Sequence, residues 1–203
     1  MKSAKKEVVK SFSSVSIIEI PELITTLSDY NAVFSADEKI VVFASQQLKG
    51  TVSEEKKLFF SKKLMNKWIK PIELTSTIKT NLNMIPTYLS PDGLYMLLAA
   101  NEEGITAIYE SKYILYNKRD TGAWSPVKKL NKIINTGKVT HASLSPDGKT
   151  IYFTSDRKGG FGELDIYKCE KKENGDWGEA VNLGPKINTP FNEDAPFLTA
   201  ANI

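Results

Sequence analysis

The chain has 203 residues, enough for one or two domains at roughly 100–200 residues each. Hydrophobic residues make up 41% and charged residues 25%, a globular balance that excludes disorder over the whole length. A net charge of +3 is too small to argue for nucleic acid or an anionic membrane, while one cysteine and one histidine exclude an internal disulfide, a cysteine-based metal site and a two-histidine relay.

Residues 1–14 carry Lys2, Lys5, Lys6 and Lys10, but Glu7, Ser11, Ser13 and Ser14 interrupt any apolar core of a secretory signal. They read as an N-terminal extension. Apolar runs such as Ile40–Ala44 and Tyr95–Ala100 reach about five or six residues, far short of the roughly 20 of a membrane span, so direct membrane insertion is not expected. Val15–Ile20 reads as the last strand of an otherwise absent unit.

From here the sequence repeats. Ser35, Ser90 and Ser145 lie 55 residues apart, in Val33-Phe34-Ser35-Ala36-Asp37-Glu38, Tyr88-Leu89-Ser90-Pro91-Asp92-Gly93 and Ser143-Leu144-Ser145-Pro146-Asp147-Gly148. Trp68, Trp124 and Trp177 keep the same register, each followed six residues on by Leu74, Leu130 or Leu183 and then by Ile78/Thr80, Ile134/Thr136 or Ile187/Thr189. The units span about residues 30–84, 85–139 and 140–192, and residues 193–203 start a fourth.

Each unit reads as four strands. One precedes the Ser-Pro-Asp-Gly turn, where Pro presets φ, Asp bonds its own backbone and Gly takes a positive φ. A run buried on both faces follows: Ile40–Phe43, Tyr95–Leu98 or Ile151–Phe153. Leu58–Phe60, Tyr113–Tyr116 and Ile166–Tyr167 supply the third strand, and Trp68–Leu74, Trp124–Leu130 and Trp177–Leu183 the fourth. No segment holds a capped 3.6-residue period, so helix content should be low, and no interdomain linker stands out. Four-stranded units at this period, buried on both faces, are β-propeller blades. The expected fold is therefore all-β: a partial propeller over residues 15–203, with about three blades and an orphan strand at each end. Propellers have about 4–8 blades, so a piece of a longer propeller is expected, ahead of a ring completed by several chains. Alone, the chain should be marginally stable.

The third unit continues Lys149-Thr150-Ile151-Tyr152-Phe153-Thr154-Ser155-Asp156-Arg157, Gly159-Gly160-Phe161-Gly162 and Asp165-Ile166-Tyr167, and Ile187–Pro196 announces the next unit. These segments resemble the TolB-like, WD-repeat-like propeller repeats, of the kind found in Bacteroidetes envelope proteins upstream of an OmpA-like peptidoglycan-binding domain. Unit two departs at Ala99–Gly104, and unit one at Ala36 and Glu38. The resemblance implies a non-enzymatic protein-interaction scaffold, with protein partners in the cell envelope and no cofactor. Its location would be periplasmic or outer-membrane-associated, with the cytoplasm the alternative if the chain is complete.

Individual residues read as follows. Asp92 and Asp147 should serve their own turns. The Asp156–Asp165 loop, with Glu163 and three glycines, offers carboxylates for calcium, but its expected role is a tight strand connection. His141 lacks a G-x-S-x-G serine or a second histidine, and is read as a polar channel-side residue. Glu193 and Asp194 make a poor acid/base couple, because adjacent strand residues point to opposite faces. The tryptophans should pack between blades. The lysine pairs 56–57, 62–63, 128–129 and 171–172 are placed in solvated turns. Cys169 is a packing residue, with Ser61 and Tyr116 as counterparts. The candidate interaction residues are those that differ between blades: Asn101, Glu102 and Glu103, with Asp156, Arg157, Lys158, Phe161 and Glu163. The competing classes are a propeller hydrolase or peptidase, and a glycan binder using exposed aromatics such as Phe161.

Overall fold

The computed structural model of the chain describes residues 19–47, 55–116 and 122–198. Three antiparallel sheets stand side by side, one per repeat. The first holds β1 (Ser28–Phe34), β2 (Ile40–Gln47), β3 (Glu55–Leu64), β4 (Lys67–Trp68) and β5 (Ile72–Glu73). The second holds β6 (Met84–Leu89), β7 (Tyr95–Glu102), β8 (Ile105–Leu115), β9 (Gly122–Trp124) and β10 (Lys128–Lys129). The third holds β11 (Val139–Leu144), β12 (Thr150–Ser155), β13 (Asp165–Glu170) and β14 (Val181–Asn182). The described residues contain no α-helix.

β7, the second strand of the middle blade, is apolar on both faces because each face meets a different neighbouring blade. Met96 and Leu98 of β7 join Val42, Leu58 and Phe60 in the core between the first two blades. Leu97 and Ala99, pointing the other way, join Ile151, Phe153 and Tyr167 in the core between the last two. Trp124 and Trp177 complete these cores, as the repeat pattern predicts. Trp68 is only half-buried and meets Phe34 edge-on, 6.2 Å between ring centroids. Backbone bonds also cross between blades: the Ala36 N–H donates to the Pro91 carbonyl at 3.0 Å, and that of Val127 to Ile78 at 3.0 Å.

Several details differ from the sequence-based expectation. The fourth strand is not continuous. A first piece pairs at the tryptophan and a second two residues long follows it, with Pro71 and Pro126, which have no N–H to donate, in the gap of the first two blades. The third strand of the second blade is also in another register. Leu97 faces Glu110 just as Val42 faces Phe60, so Ile108–Glu110, not Tyr113–Tyr116, matches Leu58–Phe60. Cys169 opposes Ile151 as Ser61 opposes Val41 and Ser111 opposes Met96. Its counterpart is therefore Ser111 rather than Tyr116. Ser61 and Ser111 donate hydrogen bonds to the carbonyls of Ile69 and Ser125, just past each tryptophan. Cys169 is 1% exposed, and burial pushes its thiol up to about 11, so it is inert packing.

Lys56, Lys57, Lys62 and Lys63 lie on β3, and Lys128 and Lys129 form β10, rather than occupying turns. No strand forms at residues 19–20 or 193–198, and residues 15–18 and 199–203 lie outside those described. A strand needs a partner. Here Glu193 instead donates its N–H to the Leu164 carbonyl at 2.9 Å, Ala195 takes φ +56°, and Pro196 has no donor.

Candidate interaction surface

In an antiparallel blade, the 1–2 and 3–4 turns lie at one rim. The 2–3 turns and the connections to the next blade lie at the other. The first rim carries the Ser-x-Asp turns. Ser35, Ser90 and Ser145 donate to Asp37, Asp92 and Asp147 at 2.7, 2.5 and 2.6 Å. The same carboxylates accept the N–H groups of Lys39, Leu94 and Lys149. The Ser35 hydroxyl and the Lys39 amide hold the Asp37 carboxyl down at about 2. These carboxylates are spent on their own turns, as the turn chemistry predicts.

The connection rim gathers the candidate residues. In the second blade, Asn101 accepts the Gly104 N–H at 3.0 Å across a tight turn, where Glu103 has φ +52° and Gly104 +88°. Glu102 is ion-paired with Lys129 at 2.6 Å and accepts from the Tyr109 hydroxyl at 3.1 Å. These bonds, Lys129 first, hold its carboxyl below the usual range. Glu103 is exposed.

In the third blade, Asp156 accepts the Lys138 N–H at 2.7 Å. Arg157 is turned inward. Its guanidinium lies over Phe153 and Tyr167, at 4.7 and 4.9 Å, and donates to the Ile134 carbonyl at 2.7 Å. It locks the loop to the second blade's exit. Lys158, Phe161 and Glu163 are exposed. The pivot beneath them is Asp165, 1% exposed, whose carboxylate accepts the Phe161 and Gly162 N–H groups at 2.6 and 3.2 Å and Asn182 Nδ2 at 3.3 Å. The glycines are needed for close approach. A Cβ at Gly160 would meet the Asp165 carboxylate, and one at Gly162 the Phe191 carbonyl. The Asp156 and Asp165 carboxylates are thus taken up by backbone amides, whereas Glu163 stays exposed.

Three features of this rim were missed from sequence. Asn135 and Asn188 staple each exit connection to the third strand. Their Oδ1 atoms accept from Ile108 and Ile166, and their Nδ2 atoms donate back to the same two carbonyls. Phe191, 79% exposed, shares the rim with Phe161 through the Gly162 contact. Asp194 reaches β11, accepting from the Thr140 hydroxyl at 2.6 Å and the Ala195 N–H at 2.8 Å, and pairing with His141 Nδ1 at 2.9 Å. The Ile-Asn-Thr spacing repeats and could have flagged the staples. The Asp194–His141 pair spans 53 residues and leaves no local signal. Among the described residues no serine or cysteine bonds His141.

Partial burial pushes the Asp194 carboxyl up, but hydrogen bonds from His141, Thr140 and Ala195 outweigh it and hold the group well below the usual carboxylate range. A depressed folded-state pKa stabilises above the unfolded value, here 3.8, and that contribution is lost as pH falls through the folded value. The protection factors of the Glu193 and Ala195 amides should therefore be high at neutral pH and fall only in strong acid, below pH 3.8. Asp194→Asn should show low protection at every pH. Fast exchange at neutral pH in the unaltered chain would refute the latch.

The inter-blade cores, the repeated turns and the two rims define a partial β-propeller. No protein-family model matches the chain, and none of the curated proteins matches it. Solved structures do. Over 83% of this chain and 35% of the other, it is similar to TolB from Acinetobacter baumannii, at 22% identity and a TM-score of 0.52. A putative TolB from Agrobacterium tumefaciens matches over 85% and 66% of the two chains, at 18% identity and a TM-score of 0.46. The β-propeller domain of the Trilobed protease from Pyrococcus furiosus, described as having an open velcro topology, matches over 78% and 43%, at 15% identity and 0.49. The likeness to the first of these is one of fold, a TolB-like propeller, and this chain spans about a third of that protein's length.

Proposed function

We propose that the chain is a non-enzymatic protein-interaction module of a larger propeller in a cell-envelope protein, periplasmic or outer-membrane-associated. The observation that carries this reading is the Asp156–Asp165 loop. It presents Lys158, Phe161 and Glu163 to solvent on a base fixed by buried Asp165 and inward-turned Arg157. An exposed loop on a rigid scaffold is how propellers and sandwiches build recognition surfaces. The TolB-like fold and the repeat resemblance support the envelope setting. A hydrolase or peptidase reading would have Asp194 orienting His141, but among the described residues no serine or cysteine bonds His141, and the neighbouring Thr140 hydroxyl donates to Asp194 instead.

The test is a photo-reactive amino acid placed at Phe161 and, as control, at Lys149 on the opposite rim, expressed in the source cells. One discrete protein adduct from position 161, in the envelope fraction and absent from position 149, is expected. Equal labelling at both positions, or saturable glycan binding lost in Phe161→Ala without any protein adduct, would overturn the reading.

A further inference from the structure

We propose that the inner ends of the three blades form a binding cavity for a small amine with an apolar body. The inference uses the Ser-x-Asp rim and does not depend on the proposed function.

The first strands, β1, β6 and β11, each stand at the inner edge of their sheet, and β6 contacts both of the others. Where they run into their turns, they border a cavity of about 500 Å³ together with Phe197, a size within the range of small-molecule sites. Its walls are apolar. Val33, Leu89 and Leu144, one from each blade, are half-buried or buried, and Phe34 and Phe197 flank them at 43% and 81% exposure. The mouth is braced, because the Ala36 N–H donates to the Pro91 carbonyl from one blade to the next at 3.0 Å.

Charge selects the occupant. Among the described residues lining the cavity, Glu38 alone is charged. Its neighbour Lys39 pairs with Asp37 at 3.1 Å, and Glu38 has no ion-pair partner among the described residues. Ala36, Pro91 and Pro146, also in the wall, are each followed by a turn aspartate. The turns at residues 35–40, 90–95 and 145–150 thus hold Asp37, Glu38, Asp92 and Asp147 against Lys39 and Lys149. Residues 199–203, which follow Leu198, are uncharged. An apolar cavity with an acidic mouth fits an ammonium group carried on an apolar chain or ring.

Glu38 also stands where the turn favours glycine. It takes φ +54°, and Gly93 and Gly148 hold the matching positions at +72° and +67°. A side chain at positive φ costs free energy, and such strain collects at ligand clamps.

Titration with n-octylamine, and with octanoate as an anion of similar length, tests this by calorimetry and amide NMR shifts. The amine should bind saturably, one per chain, with shifts centred on Val33, Ala36 and Leu144. Octanoate should bind at least about tenfold more weakly. Glu38→Gln should remove most of that preference. Glu38→Gly should remove it too without lowering the thermal midpoint, since glycine suits the turn. Ala32→Phe, at an exposed wall position, should fill the cavity and weaken binding of the amine. No saturable binding, equal affinities for amine and octanoate, or a preference that both Glu38 variants leave intact would overturn the proposal. So would shifts centred on Ile24 and Phe43, since the amine would then be coating the open face of the first blade.

Discussion

Phe153→Ala should be destabilising by about 3–5 kcal/mol in chemical denaturation, the range for emptying a large buried aromatic site. Phe153 is wholly buried in the core between the second and third blades, where it stacks on Tyr167 at 6.0 Å between centroids. It also forms the floor under Arg157, so its loss frees the guanidinium that ties the Asp156–Asp165 loop to the Ile134 carbonyl. Phe161→Ala, at a 49% exposed position, should change stability by no more than about 0.5 kcal/mol. Equal effects of the two substitutions would show that the inter-blade core does not exist as described.

Asp165→Ala should cost about 1.5–3 kcal/mol, the range for hydrogen bonds to a charged group. The substitution strands the Phe161 and Gly162 N–H groups and Asn182 Nδ2 without their acceptor. The effect should reach function, because the loop would lose its fixed shape while keeping every exposed side chain. Cross-linking from position 161 should fall with it. Asp165→Asn, which keeps one acceptor oxygen, should lie between the two. Retained cross-linking in Asp165→Ala would mean that the loop's shape is irrelevant to recognition.

Much of the architecture was legible because blades announce themselves locally. The Ser-x-Asp turn is written in consecutive residues, the tryptophans recur in register, and a strand buried on both faces must be apolar throughout. The rest depends on contacts distant in sequence. Tyr113–Tyr116 is as apolar as Leu58–Phe60, so composition alone suggested a buried strand. Pairing with β7 moved the core to Ala107–Tyr109 and left Ile114 and Leu115, paired only with β9, exposed at the strand's end. Arg157 reads as a charged loop residue, yet two aromatic rings and a carbonyl from the neighbouring blade draw it inward. Of the candidate residues, Lys158, Phe161, Glu163 and Glu103 stay exposed at the rim, whereas Glu102, Asp156 and Arg157 are engaged in holding it together.

The central claim is that three blades stand side by side, each supported by its neighbours. Amide hydrogen exchange across the second strand of each blade measures this most directly, because exchange reports local opening. The account predicts slowest exchange in β7, flanked by a blade on either face, with faster exchange in β2 and β12, which each have one. Equal rates in the three strands, or slower exchange in β12 than in β7, would contradict it.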